Sequence, residues 1–112
     1  MISKNDGCKP DAQTVWVTIA LNTAEGIIQC TPDCIIVHHG QAIEWKCEGD
    51  LAFAIHLGYD TPFDKVHHQA PQGQHIRLDI PTGKGRGRYK YVVAVTKDGN
   101  VWIEDPIFIV RP

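Results

Sequence analysis

The sequence predicts an all-β sandwich, and three observations carry that prediction. Apolar residues recur at a period of two in segment after segment, turn-forming residues punctuate the chain at short spacing, and no stretch keeps a helical period over three turns. At 112 residues, with 43% apolar and 21% charged side chains, the chain suits one globular domain with one core. No internal repeat or low-complexity segment interrupts it.

Residues 1–12 are polar, contain Gly7 and Pro10, and read as an N-terminal tail with little to bury, so the domain is expected to span residues 13–112. In the first strand Val15, Val17, Ile19 and Leu21 alternate with Thr14, Trp16, Thr18 and Ala20. Residues 22–26 form a turn, and residues 27–30 a short second strand that ends at Thr31-Pro32-Asp33. Ile35 and Val37 then alternate with Cys34 and Ile36. The glycine turn His38-His39-Gly40-Gln41 leads into residues 42–47, where Ile43, Trp45 and Cys47 share a face. Residues 51–57 are another extended run, carrying His56.

From Gly58 to Gly73 no period is sustained, and Pro62 and Pro71 add breaks. The expectation is a long loop with one helical turn near residues 63–67, a length usually kept for function or mobility. Residues 74–80 alternate again through Ile76, Leu78 and Ile80 up to Pro81, and residues 82–87 form a glycine-rich turn.

The segment from Arg88 to Val110 organises the rest. Tyr89, Tyr91, Val93 and Val95 fall on one face, and Lys90, Val92 and Ala94 on the other. The Asp98-Gly99 pair accepts positive φ in a tight hairpin, from which Val101, Trp102 and Ile103 continue extended. Pro106 has no amide proton for the ladder, so Asp105-Pro106 breaks the pairing before a last apolar run at residues 107–110.

Composition removes several classes of function. A net charge of −2 gives no global attraction to nucleic acid or an anionic membrane, and no apolar run is long enough to cross a bilayer. The opening residues lack the basic and apolar regions of a secretory signal, which points to the cytoplasm; a periplasmic location requires a signal already removed. The basic stripe Lys84, Arg86, Arg88 and Lys90 reads as a solvated turn. Gly83-Lys84-Gly85 opens no helix and so is not a phosphate cradle. Ser3, in the tail, is the only serine, which leaves a Cys47–His56 pair as the one conceivable nucleophile arrangement, without a third orienting group. No catalytic residues are assigned.

Cys8, Cys30, Cys34 and Cys47 are too sparse for a bridge-dependent scaffold, and free buried thiols are the simpler expectation. A disulfide between any two stays open, and the turn at residues 31–33 could bring Cys30 near Cys34. Of the six histidines, His38, His39, His56, His67, His68 and His75, the set His56, His67 and His68 is the candidate site for copper or zinc, with Cys47 or Asp64 as a further ligand. Adjacent strand histidines point to opposite faces, which weakens such a cluster. Tyr59, Phe63, His67 and His68 in the long loop are the candidate binding loop for a protein or small-molecule partner, although Phe63 alternatively plugs that end of the core. Trp16, Trp45 and Trp102 read as core or sheet-face residues.

The run Pro32-Asp33-Cys34-Ile35-Ile36-Val37-His38-His39-Gly40-Gln41-Ala42-Ile43-Glu44-Trp45 resembles the P-D-x-V-x-V-x-x-G-D-x-V-x-W signature of cupredoxin-like domains. The Tyr89-x-Tyr91 strand and the terminal Asp105-Pro106-Ile107-Phe108-Ile109-Val110 are similar to the last strands of that family, and the resemblance covers residues 13–112. It implies a Greek-key β-sandwich of about seven or eight strands. The family holds blue copper with two histidines, a cysteine thiolate and an axial methionine. Here the place of that cysteine falls near Val93, no histidine follows His75, and the only methionine is Met1. His56 lies near the family's first histidine but later in its strand. The resemblance therefore implies the scaffold without its redox centre. The expected protein is a non-enzymatic binding or interaction module with no cofactor, monomeric or weakly dimeric, with histidine-based metal binding as the alternative.

Overall fold

A computed structural model of the chain describes residues 14–58, 61, 63, 65–81 and 87–111. The tail assigned to residues 1–12, Tyr59 of the binding loop, Asp64, and Lys84 and Arg86 of the basic stripe lie outside the described residues. Among the described residues ten strands follow one another: β1 Thr14–Asn22, β2 Ile27–Thr31, β3 Cys34–His38, β4 Ala42–Cys47, β5 Phe53–Leu57, β6 His67–Ala70, β7 Ile76–Asp79, β8 Gly87–Lys97, β9 Asn100–Glu104 and β10 Ile107–Arg111. A single 3₁₀ turn at Glu48–Asp50 joins β4 to β5.

The strands form two sheets that face each other. One has the order β2-β1-β4-β7, and the other β3-β10-β8-β5-β6, with β9 pairing β8. The chain crosses between sheets at the β2–β3, β3–β4, β4–β5, β6–β7 and β7–β8 connections, which is the Greek-key feature of the sandwich. β1 runs parallel to β4, and β3 parallel to β10, whereas hairpin neighbours are antiparallel. Pairings of this kind join residues far apart in the chain, so local sequence does not announce them.

β8 is the spine of its sheet. Along one side it pairs β5 from Tyr91 to Val95. Along the other it pairs β10 through Gly87–Lys90 and then β9 through Val93–Lys97. Pro106 sits at the switch between those partners, where it needs no amide proton, and its carbonyl accepts the Tyr91 N–H at 3.1 Å. Asp98 (φ 53°) and Gly99 (φ 79°) both adopt positive φ, as a two-residue type I′ hairpin demands.

Strand alternation becomes burial directly. Val15, Val17 and Ile19 of β1, Ile43 and Trp45 of β4, Tyr91, Val93 and Val95 of β8, and Phe108 and Val110 of β10 are all buried. Among the described residues the interior holds no buried charged or polar side chain apart from phenol, indole and thiol groups. Trp45 of one sheet and Tyr91 of the other meet at its centre, where the indole Nε1–H donates to the phenol oxygen at 3.0 Å. Their rings lie edge to face at 5.5 Å, and Tyr91 continues to Phe108 at 5.8 Å, which also stacks on Tyr89 at 5.2 Å.

The long loop expected from Gly58 to Gly73 is corrected in part. His67–Ala70 is an edge strand pairing β5 from His56↔His67 to Phe53↔Ala70, and no helical turn occurs among the described residues near Phe63. The ladder is a backbone property, so the polar sequence His67-His68-Gln69-Ala70 hides a strand from any hydrophobic pattern. Phe63 packs on Phe108 with ring centroids 6.0 Å apart, so it closes that end of the core.

The Trp45–Tyr91 bond generates a stability prediction. Tyr91→Phe keeps the ring but strands a buried indole N–H, and should cost about 1–3 kcal/mol in urea unfolding. A cost below roughly 0.5 kcal/mol would mean that the indole is solvated instead.

Candidate functional site

With the interior apolar, the polar chemistry of the described residues lies outside it, and it gathers where the two sheets end side by side. β6 is the edge of one sheet and β7 the edge of the other. Between them lies a cleft of about 460 Å³ whose charged or imidazole walls are Lys65, His67, His68, His75 and Arg77. The remaining lining residues, Gln69 and Ile76, carry no charge. A larger hollow of about 540 Å³ beside β2 presents the carboxylates of Asp33 and Glu104 and no cationic side chain.

One wall of the cleft is held in place from behind. Register sets Glu44 of β4 beside Arg77 of β7, both on the outer face. The Glu44 carboxylate, only 17% exposed, accepts His75 Nδ1–H at Oε2 (3.0 Å) and Arg77 Nη1–H at Oε1 (3.2 Å). Arg77 Nη1 also donates to Thr14 Oγ1 at 3.0 Å, and its Nε faces Asp79 at 3.8 Å. These contacts engage Arg77 through Nη1 and Nε and His75 through Nδ1, and not through Arg77 Nη2 or His75 Nε2. The two donors lower the Glu44 carboxyl from its ordinary value, the His75 hydrogen bond being the largest cause, against an opposing effect of burial.

Beside this network Trp16 lies on the outer face, 45% exposed, with the His75 ring edge-on at 5.6 Å and Lys46 Nζ over its indole at 5.6 Å. Trp45 is the core residue, and Trp102 is partly buried against the core.

Of the candidate metal set His56, His67 and His68, the fold brings two together. His56 and His67 are direct cross-strand partners on the exposed face, with ring centroids 5.9 Å apart. His68 pairs with the buried Ile55, which places it on the inward side of β6, where its Nε2–H meets the Lys65 carbonyl at 3.2 Å. Among the described residues no group of three or more histidine, cysteine or acidic side chains is arranged to hold a metal. In the candidate binding loop, Phe63 is occupied with Phe108, whereas His67 and His68 border the cleft. His75, Glu44, Arg77 and Lys65 were not singled out together by sequence. Glu44 and Arg77 do show outward positions in alternating strands, but 33 residues separate them and only the β4–β7 register makes them neighbours.

A cupredoxin-type copper centre would need a soft donor on β8 near Val93. Val93 and Val95 are fully buried there, and the strand runs on into the Asp98-Gly99 hairpin. Aliphatic side chains have no lone pair to offer, so these residues do not fit the metal. Cys30 and Cys47 are free and buried as expected, while Cys34 is disulfide-bonded, which corrects the free-thiol expectation at that position; its bridge is not to Cys30. Burial, reinforced by the Glu104 and Asp33 carboxylates, pushes the Cys30 thiol up to about 12. Burial also raises Cys47 against an opposing backbone hydrogen bond from Leu51. Both are kept as thiols, the unreactive form, and the Cys47–His56 arrangement is not assembled: His56 is on the exposed face of β5.

Two outcomes are expected. In native protein at about pH 8, Cys30 and Cys47 should resist alkylation and should react promptly once urea unfolds the chain, as followed by intact mass. A depressed carboxyl contributes stability above the ordinary glutamate range and loses it as pH falls through the lowered folded value. Glu44→Gln should therefore cost roughly 0–1 kcal/mol at neutral pH, and its difference from the parent in urea titrations should shrink as pH falls below the ordinary glutamate range.

No protein-family profile and no curated protein sequence matches the chain. Among solved structures it is similar to the Cu-containing nitrite reductase (NirK) from Thermus scotoductus SA-01, with a TM-score of 0.56 and 14% sequence identity. The match covers 88% of this chain and 22% of that one, so the chain spans about a fifth of the neighbour's length. At such identity the likeness is one of fold: the domain is a cupredoxin-like, Greek-key β-sandwich.

Proposed function

We propose that this domain is a non-enzymatic binding module on a cupredoxin-like sandwich that carries no type 1 copper, and that it engages a protein or small-molecule partner through the β6–β7 edge. The observation that supports this most is the separation of chemistry from core. Aliphatic Val93 and Val95 fill the core side of β8, the free thiols are buried and hard to ionise, and cationic and imidazole groups crowd one surface cleft. A site built for electron transfer places its soft ligands inside such a sandwich; a site built for recognition places its donors at the rim.

A second reading, histidine-based binding of copper or zinc, draws on the His56–His67 pair, since two imidazoles 5.9 Å apart need only rotamer adjustment to share one ion. His68, the third residue of that set, reaches it only by turning about the edge strand.

Copper(II) titration separates the readings. The binding-module reading expects weak copper and zinc uptake with no intense absorption near about 600 nm, where a thiolate–copper centre absorbs. Stoichiometric sub-micromolar uptake abolished by His56→Ala and by His67→Ala would favour the second reading. An intense band near about 600 nm would overturn the absence of type 1 copper.

A further inference from the structure

We propose that the cleft between β6 and β7 recognises a small ligand bearing two oxyanion groups, phosphate or carboxylate. The inference rests on the binding-module reading and names its ligand class. Every charged or titratable side chain lining the cleft is a nitrogen group: Lys65 and two histidines from the β6 side, His75 and Arg77 from the β7 side. A chain of net charge −2 with 13 acidic residues has carboxylates to spare, yet none of the described ones lines this cleft. The cationic wall is therefore local, and it does not reflect a basic protein.

The two permanently cationic side chains come from opposite walls of the gap, Arg77 being ion-paired from behind by Glu44 and Asp79. Lys65 lies in the segment entering β6, and Arg77 lies within β7. Arg77 is anchored by Thr14 and Glu44 through Nη1 and steadied by Asp79 at Nε, which leaves Nη2 to meet a ligand oxygen. Glu44 acts as a positioning residue: it satisfies the inner edges of Arg77 and His75 from behind, outside the lining. The volume of about 460 Å³ exceeds the needs of a single phosphate and lies in the range of small-molecule sites. An extended polyanion is disfavoured, because no cationic track leads away from the cleft along β6 or β7: Gln69 and Asp79 follow.

The test is calorimetric titration of the intact protein at low ionic strength with pyrophosphate in one arm and succinate in the other, with histidine ring resonances followed in parallel. Single-site binding in either arm supports the proposal if it weakens about tenfold in Lys65→Ala and in Arg77→Gln and perturbs His67, His68 and His75. Pyrophosphate alone identifies a phosphate ligand, and succinate alone a carboxylate ligand. Lys65 makes no side-chain hydrogen bond or ion pair among the described residues, so its variant reports on the ligand even if Arg77→Gln loosens the Glu44 network. Binding in neither arm, affinity unchanged in both variants, or perturbation confined to Trp16 and Lys46 overturns it. A different small molecule captured at the same histidines would remove the ligand class and leave the binding-module reading standing. An intense thiolate–copper band would do the reverse.

Discussion

A single hydrogen bond, from the Trp45 indole to the Tyr91 phenol, joins the two sheets inside a core that is otherwise apolar. It constrains both partners, because neither large ring could be buried with its polar atom unpaired without a penalty of about 1–3 kcal/mol. Burial raises the Tyr91 phenol well above its ordinary value, so it stays neutral and able to accept the indole proton. Phe108, Tyr89 and Phe63 pack outward from that pair, and the aromatic chain determines where β4, β8 and β10 sit relative to each other. The backbone ladders hold each sheet together, and within the described core this contact adds a directional bond between the two sheets.

An interior arranged this way has consequences for chemistry. Among the described residues no charged side chain is buried, and the buried indole and phenol satisfy each other. The polar side chains are pushed to the rim, and the rim is richest where β6 and β7 end their sheets. Edge strands expose unpaired amides and carbonyls, and charged side chains discourage another chain from adding to them. Lys65, Arg77 and the histidines place such side chains along these edges, and Glu44 orients His75 and Arg77.

The relation to copper proteins lies in backbone topology. The likeness to a Cu-containing nitrite reductase at 14% identity describes how strands are ordered, and strand order survives wholesale exchange of side chains because the ladder does not depend on them.

Alternating residues made most of this architecture legible from sequence: the faces of β1, β4, β8 and β10, the type I′ turn at Asp98-Gly99, and the break at Pro106 all follow from local stereochemistry. The run of residues 67–70 was illegible, since its strand exists through hydrogen bonds to β5 and its side chains carry no apolar rhythm. The described residues hold ten strands, against the about seven or eight that the resemblance implied. The parallel pairs β1–β4 and β3–β10 and the disulfide at Cys34 were equally out of reach, because each depends on chain segments brought together by folding. The same holds for the surface site: six histidines are countable in a sequence, but whether two of them meet, as His56 and His67 do, or one is turned inward, as His68 is, follows from register. Local periodicity determines which face of a strand is buried, whereas long-range pairing decides which strands become neighbours, and a binding cleft is made of neighbours.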